Sequence, residues 1–230
     1  MSYILLTGSN GQIGKQIKTE CQSKFKILEL DLMAEPSIDA TKESDVCAFF
    51  ELHKDKKIDT IINCVGIPDA VPLKAETILD IDTNYFKKMI DVNLNAVFII
   101  IKECYRLNKD SLKNIINISS LYSVVSPRLD LYNGKIKNPA YTASKHGLIG
   151  LTKHLAVILA EDSIRVNCIA PGGITNSLVK DTEFVKQYKK NVPLKTTIPI
   201  IEINKTIDYL LNIETMTGQN IILDGGYSIQ

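Results

Sequence analysis

Tyr3-Ile-Leu-Leu-Thr-Gly-Ser-Asn-Gly-Gln-Ile-Gly14 joins a short apolar run to a glycine-rich turn. The run at residues 3–7 predicts a buried parallel strand, and after the turn Ile13, Ile17 and Cys21 recur at helical spacing. A glycine-rich turn between a strand and a helix lets backbone N–H groups and the helix N-terminus face a pyrophosphate. An ordinary glycine-rich turn is the alternative, but the strand–turn–helix context favours a phosphate-binding turn.

Apolar runs alternate with segments of helical period along the rest of the chain. This alternation predicts an α/β fold, a doubly wound parallel sheet with helices on both faces. The run at 86–101 is predicted to be a helix, because it is long and its apolar residues recur at helical spacing. No repeat, low-complexity tract or linker divides the 230 residues, which predicts a single domain over residues 1–230. The six predicted strands lie near residues 3–7, 25–30, 58–63, 113–119, 164–169 and 219–223.

An acidic residue, Asp31, ends the second apolar run, 17 residues beyond Gly14. In dinucleotide-binding folds, the carboxylate that binds the adenosine ribose lies about 20 residues beyond the turn. Such a carboxylate accepts hydrogen bonds from the ribose hydroxyls and repels a 2′-phosphate. The next three residues, 32–34, include no Arg or Lys, so the pattern predicts NAD(H) rather than NADP(H). A solvated Asp at the end of a strand is the alternative.

Tyr141-Thr-Ala-Ser-Lys145 places a phenol and an ammonium four residues apart in a predicted helix. Side chains at this spacing share one helical face. A free Tyr, with a pKa near ~10, is a poor base at neutral pH, and a nearby cation lowers that pKa. A shift of ~3 units requires roughly 4 kcal/mol, which an ammonium and an oxidised nicotinamide could supply together. Taken alone the spacing is weak evidence, since a surface Tyr and a solvated Lys share it.

Several further motifs follow one another in an order that resembles the classical short-chain dehydrogenase/reductase family. The resemblance covers nearly the whole chain and implies a Rossmann-type fold. The matching segments are Thr7 to Gly14, Ile38-Asp-Ala40, Asn63-Cys-Val-Gly66, Asn93, Ile118-Ser-Ser120, Tyr141 with Lys145, Pro171-Gly-Gly173, Thr217-Gly-Gln219 and Asp224-Gly-Gly226.

The resemblance implies a catalytic set of Asn93, Ser120, Tyr141 and Lys145. Tyr141 would take the proton of a substrate hydroxyl during oxidation and return it during reduction. Ser120 would hold the substrate oxygen, Lys145 would bind the nicotinamide ribose, and Asn93 would hold a water for proton relay. Ser123 is an alternative to Ser120, but the Asn-Ile-Ser-Ser context favours Ser120.

The same resemblance implies a set of cofactor-binding residues spread over the chain. They are Gly8, Asn10, Gly11, Gln12, Ile13, Gly14, Asp31, Asp39, Ala40, Asn63, Gly66, Tyr141, Lys145, Pro171, Gly172 and Ile174. Gln12 departs from the classical pattern, which usually has a glycine there. Either Thr175 or Asn176 is expected to contact the carboxamide of the cofactor, and the sequence leaves the choice open.

Residues 127–137 form an insert, because the separation of Ser120 from Tyr141 is longer than in classical members. Arg128, Lys135 and Lys137 predict a positive rim, and we expect a lid for an anionic substrate such as a sugar phosphate or nucleotide sugar. A solvated loop with incidental charges is the alternative. The insert also resembles a bacterial subgroup of flagellin-modification and surface-polysaccharide enzymes.

Composition excludes several other classes of protein. A net charge of +1 gives no support for nucleic-acid binding, and the apolar run at 97–101 is too short to span a bilayer. Five cysteines without a C-x-x-C pattern predict free thiols in the cytoplasm, and no N-terminal targeting signal is apparent. The three histidines show no ligand spacing, so no metal site is expected.

The sequence therefore predicts an NAD(H)-dependent oxidoreductase that acts on a small-molecule alcohol or ketone. A reductase of carrier-bound 3-oxoacyl chains is an alternative, disfavoured by Asp31, and a non-catalytic nucleotide sensor is another. The segment 142–161 is apolar on more than one side, and the resemblance implies a homodimer or homotetramer.

Overall fold

Six parallel strands form the central sheet, in the order β2-β1-β3-β4-β5-β8. The computed structural model describes residues 2–68, 75–132, 134, 136–175 and 182–230. All six predicted strands are confirmed, with boundaries that differ from the expected ones by a residue or two. The strands are β1 (Tyr3–Thr7), β2 (Lys26–Leu30), β3 (Ile58–Asn63), β4 (Asn114–Ile118), β5 (Arg165–Pro171) and β8 (Asn220–Leu223).

Helices cover both faces of this sheet. They are α1 (Gln12–Cys21), α2 (Glu43–Leu52), α3 (Thr83–Ile90), α4 (Ala96–Asn108), α5 (Pro139–Ile158), α6 (Glu183–Lys190) and α7 (Ile200–Asn212). Short 3-10 turns occupy Ile78–Asp80, Leu121–Ser123, Leu129–Tyr132, Leu159–Asp162 and Tyr227–Ile229. The predicted α/β fold, a single-domain parallel sheet with helices on both faces, is confirmed.

Alternate residues of each inner strand enter opposite cores, which explains why the strands read as continuous apolar runs. Leu5 of β1 packs in the core that contains α2, α4 and α5, whereas its neighbours Ile4 and Leu6 pack in the core that contains α1 and α7. All three side chains are at most 1% exposed.

The helix predicted at 86–101 is confirmed, but it contains a feature that its periodicity does not indicate. A π-helical turn, Asp91–Asn95, joins α3 to α4. The amide of Ala96 donates to the carbonyl of Asp91, five residues earlier. Such a turn inserts one extra residue into the helix and often marks a functional position. Here it carries Asn93.

Two short strands, β6 (Ile174–Thr175) and β7 (Ile198–Pro199), pair in a second small parallel sheet. The amide of Ile198 also donates to the carbonyl of Gly173 at 2.8 Å. These contacts hold the segment before α7 beside the glycine pair that follows β5. The sequence did not predict this sheet, because each strand is only two residues long.

The strand order reverses between β1 and β3, which is where ligands bind in open α/β sheets. The carboxyl ends of the inner strands, at Thr7, Asn63, Ile118 and Pro171, lie along this edge of the sheet. The sheet thus brings together motifs that are far apart in the sequence.

Candidate active site

The turn after β1 has no room for a side chain at Gly8 or at Gly14. Gly8 has a φ of +63°, and a Cβ there would lie 2.6 Å from the backbone of Cys64. A Cβ on Gly14 would lie 2.1 Å from the carbonyl oxygen of Gly8. Helix α1 begins at Gln12, and its N-cap, Gly11, makes no side-chain capping bond. The turn therefore presents closely packed backbone and a helix N-terminus, as a pyrophosphate requires.

Asp31 fixes this turn from the neighbouring strand. Its carboxylate accepts from the amide of Asn10 at 2.9 Å and from the amide of Met33 at 2.7 Å. Asp31 is 8% exposed and lines the cleft. Each of its oxygens has a second lone pair for a ribose hydroxyl. Asn10, which is expected to contact the cofactor, donates its backbone N–H to the carboxylate of Asp31.

A long cleft runs along the carboxyl edge of the sheet, in two parts that share Gly11, Cys64, Gly66 and Ile67. The first part has a volume of about 570 Å³ and the second about 480 Å³. Predicted residues that line the first part are Gly8, Gly11, Asp31, Asp39, Ala40 and Gly66. Those that line the second are Gly11, Gln12, Ile13, Gly14, Gly66, Tyr141, Lys145, Gly172 and Ile174. The cleft therefore brings most of the predicted cofactor residues together.

The carboxylate of Asp39 is held at the wall of the first part. It accepts from the hydroxyl of Thr41 at 2.7 Å and from the amide of Thr41 at 3.1 Å. These hydrogen bonds, with a smaller contribution from Lys42, lower the pKa of Asp39. A fixed, ionised acceptor at this wall suits an adenine amine.

Three residues expected at the cofactor are not among the described residues that line the cleft, namely Asn10, Asn63 and Pro171. Asn63 is 1% exposed and lies beneath the cleft, where a buried amide needs protein partners. It accepts from the hydroxyl of Thr7 at 3.2 Å and donates to Asn117 at 2.9 Å. Asn117 in turn donates to Thr152 of α5 at 2.9 Å. Asn63 thus ties the ends of neighbouring strands to α5, and its direct contact with the cofactor stays a prediction.

Helix α5 presents Tyr141 and Lys145 to the second part of the cleft. The helix begins at Pro139, where Asn138 accepts from the amide of Ala140 at 2.9 Å. The Lys145 ammonium donates to the carbonyl of Ile118 at 3.1 Å and lies 5.8 Å from the centre of the Tyr141 ring. Burial lowers the pKa of Lys145 to about 8. Lys145 is thus largely charged at neutral pH, next to the phenol that it is predicted to activate.

Three serines lie near this pair, and their hydrogen bonds separate their roles. Ser119 donates to the carbonyl of Lys145 at 3.1 Å. Ser123 is 2% exposed and donates to the carbonyl of Ser120 at 2.5 Å. The half-buried Ser120 accepts from the amide of Tyr122 at 3.2 Å, a bond that uses its lone pair and not its proton. This arrangement supports Ser120 over Ser123 as donor to a substrate.

Asn93 is fully buried in the π-helical turn, and its side-chain amide holds the loop after β3. Its oxygen accepts from the amide of Ile67 at 2.8 Å, and its nitrogen donates to the carbonyl of Ile67 at 3.2 Å and to Ser144 at 3.3 Å. Asn93 thereby anchors a wall of the cleft to α5. The water relay remains a prediction.

In the described part of the insert, Arg128 and Lys137 both have partners within the insert. Arg128 makes two hydrogen bonds to Asp130, at 2.9 and 3.2 Å, which balance its charge. The Lys137 ammonium lies 4.5 Å above the centre of the Tyr132 ring, and Lys135 lies outside the described residues. Two of the three predicted positive charges thus have a partner within the insert, and the lid stays a prediction.

A row of rings, here called the aromatic rim, consists of Tyr122, Tyr132, Phe184 and Tyr188. Tyr132 of the insert lies 5.4 Å from Phe184, which lies 6.4 Å from Tyr188. Tyr188 accepts from the amide of Gly173 at 2.7 Å, and burial raises its pKa to about 12. The sequence does not indicate this rim, because isolated aromatic residues in separate segments give no periodic signal.

The side chains of Thr175 and Asn176, one of which is expected to contact the carboxamide of the cofactor, lie outside the described part of the structure. Within the described residues, no group of His, Cys, Asp and Glu is arranged to hold a metal ion, and the helices are all too short or too polar to cross a membrane. The five cysteines are free thiols.

A family model described as enoyl-(acyl carrier protein) reductase matches residues 11–228. The chain belongs to the short-chain dehydrogenase/reductase family. Among curated relatives, the 3-oxoacyl-(acyl-carrier-protein) reductase of Aquifex aeolicus is 28% identical, over 98% of this chain and 87% of its own. The 2-dehydro-3-deoxy-D-gluconate 5-dehydrogenase of Bacillus subtilis is 32% identical, over 77% of this chain and 67% of its own.

Solved structures of short-chain dehydrogenases share the fold. A Leptospira borgpetersenii member with bound NAD+ has a TM-score of 0.86 and 29% identity, covering 99% of this chain and 93% of its own. A 4-hydroxyisoleucine dehydrogenase with NADH has a TM-score of 0.83 and 29% identity, covering the whole of both chains. ElxO with NADP has a TM-score of 0.85 over 100% of this chain and 99% of its own, but its 23% identity shows the fold alone.

These comparisons confirm the classical short-chain dehydrogenase/reductase resemblance drawn from the motifs. The protein is an oxidoreductase of this family that acts on CH–OH groups.

Proposed function

We propose that this short-chain dehydrogenase/reductase interconverts a secondary alcohol and a ketone with NAD(H), using Tyr141 as proton donor and acceptor. The observation that carries the proposal is that Tyr141 and Lys145 line one cavity with the glycine-rich turn at residues 11–14. A phenol activated by an ammonium is thereby held beside the expected cofactor.

Tyr141, Ser120 and the glycine-rich turn have separate roles in the proposed reaction. When bound, a nicotinamide accepts or supplies the hydride. Tyr141 takes the hydroxyl proton in oxidation and returns it in reduction, assisted by the charge of Lys145. Ser120 donates to the substrate oxygen and orients it. The backbone of the turn and the N-terminus of α1 hold the pyrophosphate.

Preference for NAD(H) over NADP(H) is proposed from Asp31. Its buried carboxylate lines the cleft where a ribose would lie, and a 2′-phosphate there would meet a like charge. Solved neighbours contain either NAD(H) or NADP, so this preference depends on the residues of this chain.

A sugar or a related hydroxylated ring is the proposed substrate class. One relative is named as the dehydrogenase of a sugar acid, and Phe184 of the aromatic rim is exposed and offers an apolar face on which such a ring can pack. A sugar phosphate or nucleotide sugar would need positive charge, which Arg128 and Lys137 offer only if their present partners release them. A place in flagellin or surface-glycan modification rests on the sequence resemblance alone.

Reduction of a carrier-bound 3-oxoacyl chain is the second candidate, favoured by the Aquifex aeolicus relative. A non-catalytic sensor is disfavoured by the buried Lys145 beside Tyr141, since such a charge is costly to keep without use.

The proposed assembly is a homodimer or homotetramer, and the proposed compartment is the cytoplasm. Apolar side chains of α4 and α5 are exposed, namely Phe98, Val157 and Ile158. A mass measured by light scattering that corresponds to one chain at micromolar concentration would contradict the assembly.

Initial rates with three matched substrate sets test the function: neutral sugars and polyols, their phosphates or nucleotide derivatives, and 3-oxoacyl thioesters. We expect NAD(H)-dependent turnover of a hydroxylated ring, abolished in Tyr141→Phe. Turnover confined to 3-oxoacyl thioesters would replace the first candidate by the second. Dinucleotide binding without turnover of any set would favour the sensor.

A further inference from the structure

We propose that Tyr122 is a positioning residue for catalysis, and that the insert holds it in place through Tyr132. The inference rests on the proposed function, since it concerns how Ser120 and Tyr141 are oriented for that reaction.

Tyr122 contacts both of these groups. Its backbone amide donates to the Ser120 hydroxyl at 3.2 Å. Its ring meets the Tyr141 ring edge to face, with centroids 6.4 Å apart and planes at 84°. Edge-to-face packing of this kind is favourable and directional. One residue therefore supports the proton donor and the substrate-binding hydroxyl together.

The insert restrains Tyr122 at the hydroxyl end of its side chain. The hydroxyls of Tyr122 and Tyr132 hydrogen-bond to each other. Tyr132 is itself held, because the Lys137 ammonium lies 4.5 Å above its ring centre and Phe184 packs at 5.4 Å. The insert therefore restrains the position of the Tyr122 side chain through Tyr132.

The environment of Tyr122 is inconsistent with a direct role as acid or base. Burial, reinforced by the neighbouring Tyr132, raises the pKa of its phenol well above the ordinary value. A phenol that stays neutral can donate or accept a hydrogen bond but cannot provide a phenolate. Its contribution to catalysis is therefore made through Ser120 and Tyr141.

Removing one hydroxyl of the pair leaves the other without this partner in a partly buried place, which is unfavourable. In Tyr132→Phe we expect the Tyr122 ring to turn toward another partner and to loosen its edge-to-face contact with Tyr141. Small displacements of reacting groups lower rates strongly. We expect kcat to fall about tenfold, while the NADH dissociation constant and KM stay within about twofold.

The test compares Tyr132→Phe, Tyr122→Phe, the double variant and a control, using the substrate found by the rate screen. The control is Tyr105→Phe. This variant removes a tyrosine hydroxyl on α4 that donates to the carboxylate of Asp162 at 2.6 Å. Because both single variants remove the same bond, the double variant should be no slower than either. Single variants that keep kcat within twofold, rate losses that multiply in the double variant, or an equal loss in Tyr105→Phe would overturn the proposal.

A second readout does not depend on any substrate. The rate of nitration of Tyr141 by tetranitromethane, followed by peptide mass spectrometry, reports how firmly its ring is packed. We expect faster nitration in Tyr132→Phe than in wild type or Tyr105→Phe, and an unchanged rate would overturn the proposal. If wild type shows no turnover that depends on Tyr141, the proposed function fails, and nitration alone decides the positioning role.

Discussion

The cofactor end of the cleft is built mainly from backbone, whereas the aromatic rim, which contacts Tyr141 and Gly173, is built from large side chains. At the cofactor end, Gly14 packs on Gly8 within one turn, and Gly8 packs on the backbone of Cys64, which follows β3. At the rim, Tyr122, Tyr132 and Tyr188 come from three separate segments. The first end is a short motif that the sequence reveals, and the second exists only after folding.

The comparison also explains how tolerance to change should differ between the two ends. Backbone packed on backbone cannot move aside, whereas an aromatic side chain can be replaced by another of similar volume. Substitutions at the glycines should therefore weaken cofactor binding strongly, and substitutions at the rim should alter rates or substrate choice.

Gly14→Ala should produce the largest effect, because its new Cβ would lie 2.1 Å from the carbonyl oxygen of Gly8. We expect NADH affinity to fall by about 100-fold or more, measured by fluorescence titration. The matched control is Gly150→Ala in α5, where a Cβ meets nothing within 4 Å. Equal NADH affinities in the two variants would show that the tight turn does not determine binding.

Lys145→Met should stabilise the cofactor-free protein at pH 7. The pKa of Lys145 falls from 10.5 to about 8 on folding, because burial disfavours the charged form. The unfolded chain therefore binds more protons between these values, and wild-type stability rises as the pH increases from 8 to 10.5. We expect an advantage for the variant of about 1–3 kcal/mol at pH 7 in urea unfolding, shrinking toward pH 10.

Lys153→Met serves as the control, since Lys153 is exposed on the same helix and its loss changes the net charge equally. A stability advantage of Lys145→Met that is constant with pH would contradict the electrostatic explanation.

Asp31→Asn tests the acidic side chain at the cofactor end. The variant loses the negative charge and keeps one oxygen, which can accept from the backbone N–H of Asn10 or of Met33 but not from both in the present geometry. We expect the ratio of NADPH to NADH affinity to rise about tenfold. Asp39→Asn removes a charge from the same cavity and is the comparison; a similar change in both variants would mean that charge anywhere in the cavity sets the preference.

Arg128→Ala should have the smallest effect. Arg128 is paired with Asp130 on the exposed surface of the insert, and such pairs contribute little to stability. We expect no measurable change in thermal unfolding and an unchanged KM for neutral substrates. A marked rise in KM for phosphorylated substrates alone would support the prediction that the insert is a positively charged lid.

How much the sequence could predict depended on whether a feature was local. Residue spacing within a single segment defines the turn at residues 8–14, and the same holds for the pair of Tyr141 and Lys145. The sequence therefore shows both features, and they line one cavity. Asn63 was assigned to the cofactor because its motif matches, but its partners are Thr7 and Asn117 on neighbouring strands. Such contacts depend on strand order, which a motif does not encode.

The insert shows the same limit more clearly. Its length and charges are visible in the sequence, but the pairing of Arg128 with Asp130 and the contact of Tyr132 with Tyr122 are not. The π-helical turn around Asn93 was also hidden, since one extra residue hardly changes helical periodicity.

The most direct test of the central claim measures NADH binding and turnover in parallel for wild type and Tyr141→Phe. We predict NADH dissociation constants within about threefold of each other, since the cofactor end is untouched, and a kcat lower by about 100-fold to 10,000-fold in the variant. A Tyr141→Phe enzyme that keeps its turnover would contradict the assignment of Tyr141 as the proton donor and acceptor.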